Sequence, residues 1–395
     1  MVSKTFALVN KASTNSDDFL IGGSGYDQIF TKGGADVAYG LGGDDEIYGE
    51  GQDDTLSGGT GSDFVHGGSG DDTLHGNDGA DTIDGSAGDD WIFGGGEDDY
   101  LLGGTGYDYL FGGGENDTFV WEDGGGNDVL DGGSGIDTLS LTTSDEFGGD
   151  SFLGERFTLT SSGVEAIFQR TSDDPFNLQI TNTEHIELFS QGGADTLVVG
   201  DLTGTGVESI LMTGGDGSER VSSTGSTPLT VFGEGGSDFI TGGLGNDELH
   251  GGDRGDRISG GEGNDRIFGE TGDDTLVGGP GNDTIEGGEG SDGIVGGAGD
   301  DVLTGDSGAD QFRYDLPPVG GGHDIISDFI VGVDDLFLGG ITAVQLDTDG
   351  NASLDDADGR VAVTDGNLVI DIGDNNVLTL SGVNALGIGS DVFFI

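Results

Sequence analysis

Gly22-Gly23-Ser24-Gly25-Tyr26-Asp27-Gln28-Ile29-Phe30 is one copy of the nine-residue pattern that decides how this chain folds. Written G-G-x-G-x-D-x-U-x, with U apolar, it sets an aspartate at position six and an apolar side chain at position eight. The aspartate recurs every nine residues without a break at Asp18, Asp27, Asp36, Asp45, Asp54, Asp63, Asp72, Asp81, Asp90, Asp99, Asp108 and Asp117. The apolar column follows two residues behind, from Leu20 and Ile29 through Leu74 to Leu110 and Phe119. Both columns then slip by two residues and resume at Asp128 and Asp137. A second array carries Asp238, Asp247, Asp256, Asp265, Asp274, Asp283, Asp292, Asp301 and Asp310, with apolar partners from Ile240 to Phe312. A flexible glycine-rich linker would explain the composition but not this phase.

The letters of the repeat have physical reasons. Glycine permits positive φ, so six residues can close a tight turn with carbonyls pointing inward. The aspartate ends the turn and offers a carboxylate. The last three residues are expected to form a short strand, its middle side chain inward and its flanks outward. One apolar residue in nine makes a core only when coils stack on one another.

The composition demands a counter-ion. The 395 residues carry 76 acidic and 11 basic side chains, a net charge of -65, and include 87 glycines but only 32% hydrophobic residues. Charge and glycine on this scale read as disorder unless something neutralises the carboxylates. The sign argues against nucleic acid and anionic membrane as partners. It favours a hard cation, which prefers carboxylate and carbonyl oxygens. With no cysteine, disulfides and cysteine-ligated zinc are excluded. No apolar run is long enough for a membrane span, and Phe6-Ala7-Leu8-Val9 is too short for a signal-peptide core. This points to a cytosolic protein, or to one that leaves the cell without an N-terminal signal.

The nonapeptide resembles that of the repeats-in-toxin (RTX) family, closely in the two arrays and loosely between them. The resemblance implies an all-β chain whose repeats pair into coils of a right-handed parallel β-roll. It also implies multiple calcium ions, each held between one turn and the turn two repeats on by aspartate carboxylates and backbone carbonyls. Bridging of that kind gives roughly 12 to 18 ions on the aspartates named above. Asp195, in Gly192-Gly193-Ala194-Asp195-Thr196-Leu197, resembles one further degenerate turn. Gln52, Glu97, Glu115 and Arg254 replace the position-four glycine. Calcium is expected to be weaker there, above all at Arg254, which brings a competing cation.

Five segments follow: an N-terminal cap strand over 1–17, a first β-roll over 18–139, a connecting segment over 140–231, a second β-roll over 232–313 and a C-terminal cap over 314–395. The connecting segment keeps a loose repeat at Gly163-Val164-Glu165-Ala166-Ile167, Asn182-Thr183-Glu184-His185-Ile186 and Gly206-Val207-Glu208-Ser209-Ile210. Spacings of 19 and 24 residues suit the coils of an irregular β-solenoid; an inserted β-sandwich is the alternative. Asp328-Phe329-Ile330-Val331-Gly332-Val333-Asp334 resembles the segment that closes RTX arrays. It is expected to lead into an antiparallel cap containing Leu368-Val369-Ile370-Asp371-Ile372 and Val377-Leu378-Thr379-Leu380. Ser390-Asp391-Val392-Phe393-Phe394-Ile395 resembles the uncleaved signal of type I secretion, which implies an exporter as partner and a secreted or cell-surface location; it also reads as a final buried strand. Residues 347–358 have the oxygen spacing of an EF-hand loop, but with Ala352 at position six and Asp358 at position twelve, so an ion site and an acidic turn both fit.

Neither H-E-x-x-H nor G-x-S-x-G occurs. His66, His75 and His250 fall at position nine, where solvated strand residues are expected. A hidden catalytic site would draw on Arg156, Glu165, Glu184 and His185 in the connecting segment. Positions seven and nine face outward, so Trp91, Phe93, Tyr109 and Phe111 share one face, a candidate contact for a glycan or partner protein. The leading reading is a secreted calcium-binding protein with a structural, surface or adhesive role. An accessory binding module and an enzyme are the alternatives.

Overall fold

The computed structural model describes residues 14–122, 124–143, 155–171, 175–190, 192–315, 322–346, 353–355, 360–373 and 376–394. The chain divides into two compact units. The first comprises 1–148, 155–191 and 202–211; the second comprises 149–154, 192–201 and 212–395. Both are all-β, and among the described residues the one helix is the four-residue turn Ala343–Leu346.

In the first unit, successive strands alternate between two parallel sheets, so each strand pairs with the next but one. Val37–Gly42 pairs with Thr55–Thr60, which pairs with Thr73–Asp78, and that with Trp91–Gly96. Glu46–Gly51, Phe64–Ser69, Thr82–Ala87 and Tyr100–Thr105 build the opposite sheet in the same way. Partners lie 18 residues apart, two nonapeptides per coil, as in Leu56↔Leu74 and Leu74↔Ile92. The two-residue slip of the columns becomes an offset of 20 in Tyr109↔Val129 and Thr118↔Thr138.

The strands are six residues long rather than three. Residues after the outward position nine stay in register with the next coil, as in Glu50↔Gly68 and Gly51↔Ser69, so the glycine turn is itself part of the ladder. Position eight points inward as expected: Ile47, Leu56, Val65, Leu74, Ile83, Ile92 and Leu101 are all fully buried.

The turns accommodate the side chains that replace the position-four glycine. Gln52, Glu97, Glu115 and Arg254 adopt φ of 72°, 74°, 70° and 78°. Position two is left-handed as well, at Lys32, Leu41, Glu50, Asn77 and Ser86. Glycines at these two positions swing wider, for example 125° at Gly59 and 147° at Gly272. A residue with a Cβ therefore relaxes to the narrow left-handed well, at a cost of about 1–2 kcal/mol. The turn itself survives each replacement.

The segment after Asp137 is irregular. Arg156–Ser162, Glu165–Arg170 and Phe176–Thr181 form an antiparallel meander. Its last strand rejoins the roll in parallel, Gln179 opposite Val129, and His185–Ser190 does the same against Thr138–Thr143. The 24-residue spacing is a true coil step, since Ser209 N–H donates to the Glu184 carbonyl (3.1 Å). The 19-residue spacing is not one, because Ala166 lies in the antiparallel excursion.

The second unit repeats the two-sheet arrangement. Arg220–Ser223, Phe239–Gly243, Arg257–Gly261, Thr275–Pro280, Gly293–Ala298, Gln311–Asp315 and Asp335–Gly339 stack in one sheet. Leu229–Phe232, Glu248–Asp253, Arg266–Thr271, Thr284–Glu289, Val302–Ser307 and His323–Ile326 form the other. Asn376–Leu380 adds in parallel to His323–Ile326, then pairs antiparallel with Asn367–Gly373, which pairs antiparallel with Val361–Thr364. This antiparallel sheet is the expected cap over the last coil's edge. Val392–Phe394 adds in parallel to Asp335–Gly339.

A core one side chain thick is sensitive to charge. Leu74→Asp should destabilise the folded first unit by about 3 kcal/mol or more and raise the calcium concentration at which circular dichroism reports β-structure. Thr73→Asp, one residue away on the outer face, should barely move it. Equal shifts for the two variants would contradict the inward assignment of position eight.

Candidate metal centre

Most array aspartates split their carboxylate between two tasks; Asp27 departs, its Oδ2 accepting from Gly23 N–H and its Oδ1 left buried without a hydrogen-bond partner. One oxygen joins coils: the Asp27 N–H donates to Asp45 Oδ1 (2.7 Å), Asp45 N–H to Asp63 Oδ1 (2.7 Å), Asp63 N–H to Asp81 Oδ1 (2.7 Å) and Asp81 N–H to Asp99 Oδ1 (2.9 Å). The opposite side runs in step, from Asp36 through Asp54, Asp72, Asp90 and Asp108. The aspartate carbonyl accepts in turn from position seven of the next coil, as from Thr73 N–H to Asp54 O (2.8 Å). The second oxygen, Oδ2, is buried without a hydrogen-bond partner at Asp36, Asp45, Asp54, Asp63, Asp72, Asp81, Asp90, Asp99, Asp108, Asp117 and Asp137. The second unit repeats this at Asp238, Asp247, Asp256, Asp265, Asp274, Asp283, Asp292 and Asp301.

The glycine at position one explains the space beside that oxygen. A Cβ built on Gly49 would collide with Asp54 Oδ2 and with the Gly67 carbonyl oxygen, and one on Gly76 with Asp81 Oδ2 and the Gly94 carbonyl oxygen. Turns with glycine at position one therefore gather an orphaned carboxylate oxygen and a backbone carbonyl of the next coil around one point that a Cβ would fill; at the Asp36 turn Thr31 takes the position and its hydroxyl donates to the Gly49 carbonyl (2.6 Å). No group of three or more His, Cys, Asp or Glu side chains spaced to hold a metal occurs among the described residues. A cation here must take one carboxylate per turn and complete its shell from carbonyls, a donor set of hard oxygens that suits Ca²⁺.

Burial leaves these carboxyls hard to ionise without a cation. Desolvation, opposed by the backbone N–H bond and reinforced by neighbouring carboxylates, pushes Asp45, Asp54, Asp81, Asp90 and Asp117 up to about 7. Asp63, Asp72, Asp99 and Asp108 rise to about 6 by the same dominant cause. Asp128 rises to about 8. Its turn is altered: position one holds Trp121, buried against the Phe176 ring at 3.9 Å, where most repeats of the array hold glycine and the Asp36 repeat holds Thr31.

The other expected ligands vary. Asp18 is half-exposed, and its Oδ2 accepts from Thr14 N–H (2.7 Å) and Thr14 Oγ1 (3.0 Å). It caps the first turn rather than presenting an orphaned oxygen. Asp195 is fully buried and its carbonyl accepts from Arg220 N–H (2.7 Å). Asp310 is buried, at about 6, and continues the column to Asp334, whose Oδ1 accepts its N–H (3.1 Å).

Four column members escaped the sequence reading. Glu184 Oε2 accepts from Asp137 N–H (2.8 Å), which places a catalytic candidate in the position-six column instead. Asp324 accepts from Asp301 N–H (3.0 Å), and Asp334 does so from Asp310. Glu219 is 2% exposed, its N–H donates to Asp238 Oδ1 (2.7 Å), and both its carboxylate oxygens are buried without a hydrogen-bond partner. Desolvation, with the Asp238 charge next, pushes it to about 9. The signal was present: Gly214-Gly215-Asp216-Gly217-Ser218-Glu219-Arg220-Val221-Ser222 is the nonapeptide with Glu for Asp.

The candidate catalytic set is not assembled. Arg156 and Glu165 sit at opposite ends of the Arg156–Ser162 and Glu165–Arg170 hairpin, about 20 Å apart at 3.3 Å per residue. His185 Nδ1 meets Ser209 Oγ (2.6 Å). The position-nine histidines are less solvated than expected: His250 is sandwiched between Phe232 and Phe268, each at 4.5 Å, and His75 stacks on Phe93 at 4.8 Å. His66 is half-buried, with Nδ1 3.0 Å from Asp84 Oδ2. Arg254 is exposed. Residues 347–358 lie mostly outside the described residues.

Of the four outward aromatics, Trp91 is exposed and Phe93, Tyr109 and Phe111 are half-buried among the described residues. They form a ladder, Trp91 on Tyr109 (4.3 Å) and Phe93 on Phe111 (5.0 Å, 7° between planes), with Trp91 44% exposed.

A model of the RTX calcium-binding nonapeptide repeat, four copies long, matches residues 13–45, 30–65, 66–101, 93–120, 122–139, 230–253, 250–285 and 277–312. These segments cover just over half of the chain. No curated protein matches it.

The raised carboxyl values fix a pH dependence. A carboxyl whose folded pKa exceeds its unfolded value of about 3.9 stabilises the ion-free fold fully below about pH 4, and that stability is lost as pH climbs through 6 to 8. Calcium binds the ionised form, so its grip should tighten across the same window. The calcium midpoint of folding should fall roughly tenfold or more between about pH 5 and pH 8, read by calcium titration at each pH. A midpoint that stays flat or rises contradicts the buried-carboxylate site.

Proposed function

We propose, for a chain that belongs to the RTX calcium-binding nonapeptide-repeat family, that calcium binding is what folds it and that it works outside the cell as a structural, surface or adhesive module. Its nonapeptide repeats bind calcium. The observation that carries the folding proposal is the paired column of buried, orphaned Oδ2 atoms beside glycine-only gaps. Calcium in those gaps supplies the charge neutralisation that buried carboxylates lack. The aspartate Oδ1 atoms and carbonyls meanwhile fix one coil against the next. Bridging between coils gives roughly 12 to 18 ions, with the Arg254 turn the weakest and the Asp18 and Asp128 turns weak as well.

Export follows from the same coupling. Cytosolic calcium is too scarce to load weak sites, whereas extracellular modules typically bind at about 10⁻⁴ to 10⁻³ M. The unloaded chain, self-repelling at -65, stays extended enough to thread a type I exporter and folds outside. The segment 390–395 that resembles a secretion signal contains Val392–Phe394, which is paired in the folded second unit. An exporter would therefore read it before folding.

The aromatic ladder holds neighbouring strands in register, because its rings spend their faces on one another. Its exposed edges still leave a contact surface for a protein partner.

The coupling is tested by circular dichroism and small-angle scattering. In excess chelator at neutral pH the chain should be disordered, with a radius of gyration of roughly 70 Å, and calcium should convert it cooperatively to a β spectrum. A full β spectrum in chelator at neutral pH would sink the proposal.

A further inference from the structure

The second unit has an outer face whose charge runs against the rest of the chain. On the sheet from Thr196–Val199 to Asp335–Gly339, the positions on either side of the inward position-eight residues carry Arg220, Arg257 and Arg313 and, among the described side chains, a single carboxylate, Asp335. Three of the chain's 11 basic residues thus share one face of a protein with 76 acidic ones. Arg257 and Arg313 are exposed, and the Arg220 guanidinium lies 4.5 Å over the Phe239 ring. Arg220 and Arg257 are two rungs apart, about 10 Å, and Arg257 and Gln311 three, about 14 Å.

The face is also dented. Gly293 takes position seven where the strands on either side present Thr275 and Gln311. Packing does not require glycine there: a Cβ would meet only the Asp274 carbonyl oxygen, at 3.7 Å, and the backbone is not left-handed. The missing side chain opens a groove of ≈ 450 Å³ lined by Thr275, Val295, Gln311, Arg313 and Phe337, over the Gly293 backbone. The Phe337 ring is braced by Phe393 at 5.1 Å.

We propose that this face binds an anionic polysaccharide, a chain of uronic acids laid along the stacking direction. The aromatic wall, the amide and the hydroxyl of the groove suit a sugar ring, and the arginines pair its carboxylates. Extended hexose units are about one rung long, so successive sugars meet successive strands. The ladder of the first unit is the poorer saccharide platform, since its ring faces are already stacked. The proposal rests on the calcium-folded state described above.

The test uses the calcium-saturated full chain, with circular dichroism confirming folding before each calorimetric titration. The probes are a galacturonic acid hexamer, a neutral glucose hexamer and hexaglutamate. The unmodified protein should bind the uronate hexamer and neither of the others. Arg257→Gln with Arg313→Gln should weaken binding roughly tenfold or more, and Gly293→Leu, which fills the groove, should do likewise while calcium-induced folding is unchanged. No binding of the uronate, or binding undiminished in both variants as calcium bridging to the acidic turns would give, overturns the proposal. So does equal binding of hexaglutamate or of the neutral hexamer. A chain that fails to fold with calcium contradicts the earlier reading instead, and the dichroism separates the two.

Discussion

The structure depends on a column of like charges stacked inside it. Most array aspartates use Oδ1 to accept the backbone N–H of the residue that ends the turn one coil away and leave Oδ2 buried without a hydrogen-bond partner. Coils repeat at about 4.8 Å, and two unit charges at that spacing repel by about 3 kcal/mol even at an effective dielectric of 20. The bond that joins the coils therefore forces the carboxylates together. Protonation relieves that repulsion by removing the charge that should attract calcium. A cation between the coils relieves it and adds cohesion.

Apolar burial does not substitute for the cation. One Leu or Ile per repeat contributes about 1.5–3 kcal/mol, while ordering nine backbone residues costs about 1 kcal/mol each or more. The glycines sharpen the deficit, because they have the most freedom to lose. They are kept because a Cβ at position one would occupy the space between Asp54 Oδ2 and the Gly67 carbonyl oxygen, and likewise in other coils. Positions two and four are less strict: Glu50, Asn77, Gln52 and Arg254 all sit in the left-handed well. Glycine is thus demanded by the ion's space more than by the turn's shape.

Much of this was legible in the sequence because each contact recurs at a fixed spacing. An aspartate meets its partner 18 residues on, so the column shows as a nine-residue phase. Legibility ends where the spacing changes. Asp137 reaches Glu184 across 47 residues, and Asp301 reaches Asp324 across 23, with irregular chain between. Glu219 was missed because its repeat substitutes one carboxylate for another. The antiparallel meander 156–181 carries the same apolar alternation as a coil, so its pattern cannot reveal which strand it pairs with. The ring stacking of the ladder and the groove at Gly293 are lateral relations between coils.

The outer faces show what the internal design leaves free. Positions seven and nine bear little of the burden of folding, so one unit carries stacked rings and the other a row of arginines over a groove. The central claim concerns the inside. It is tested most directly by anomalous scattering from a crystal of the calcium-loaded protein. The account predicts calcium peaks beside Asp54, Asp63, Asp72 and Asp81 Oδ2, against the position-one glycine carbonyls of the adjoining coil. Peaks confined to the exposed acidic positions such as Asp44, Asp53 and Asp71, with none beside the buried Oδ2 atoms, would contradict it.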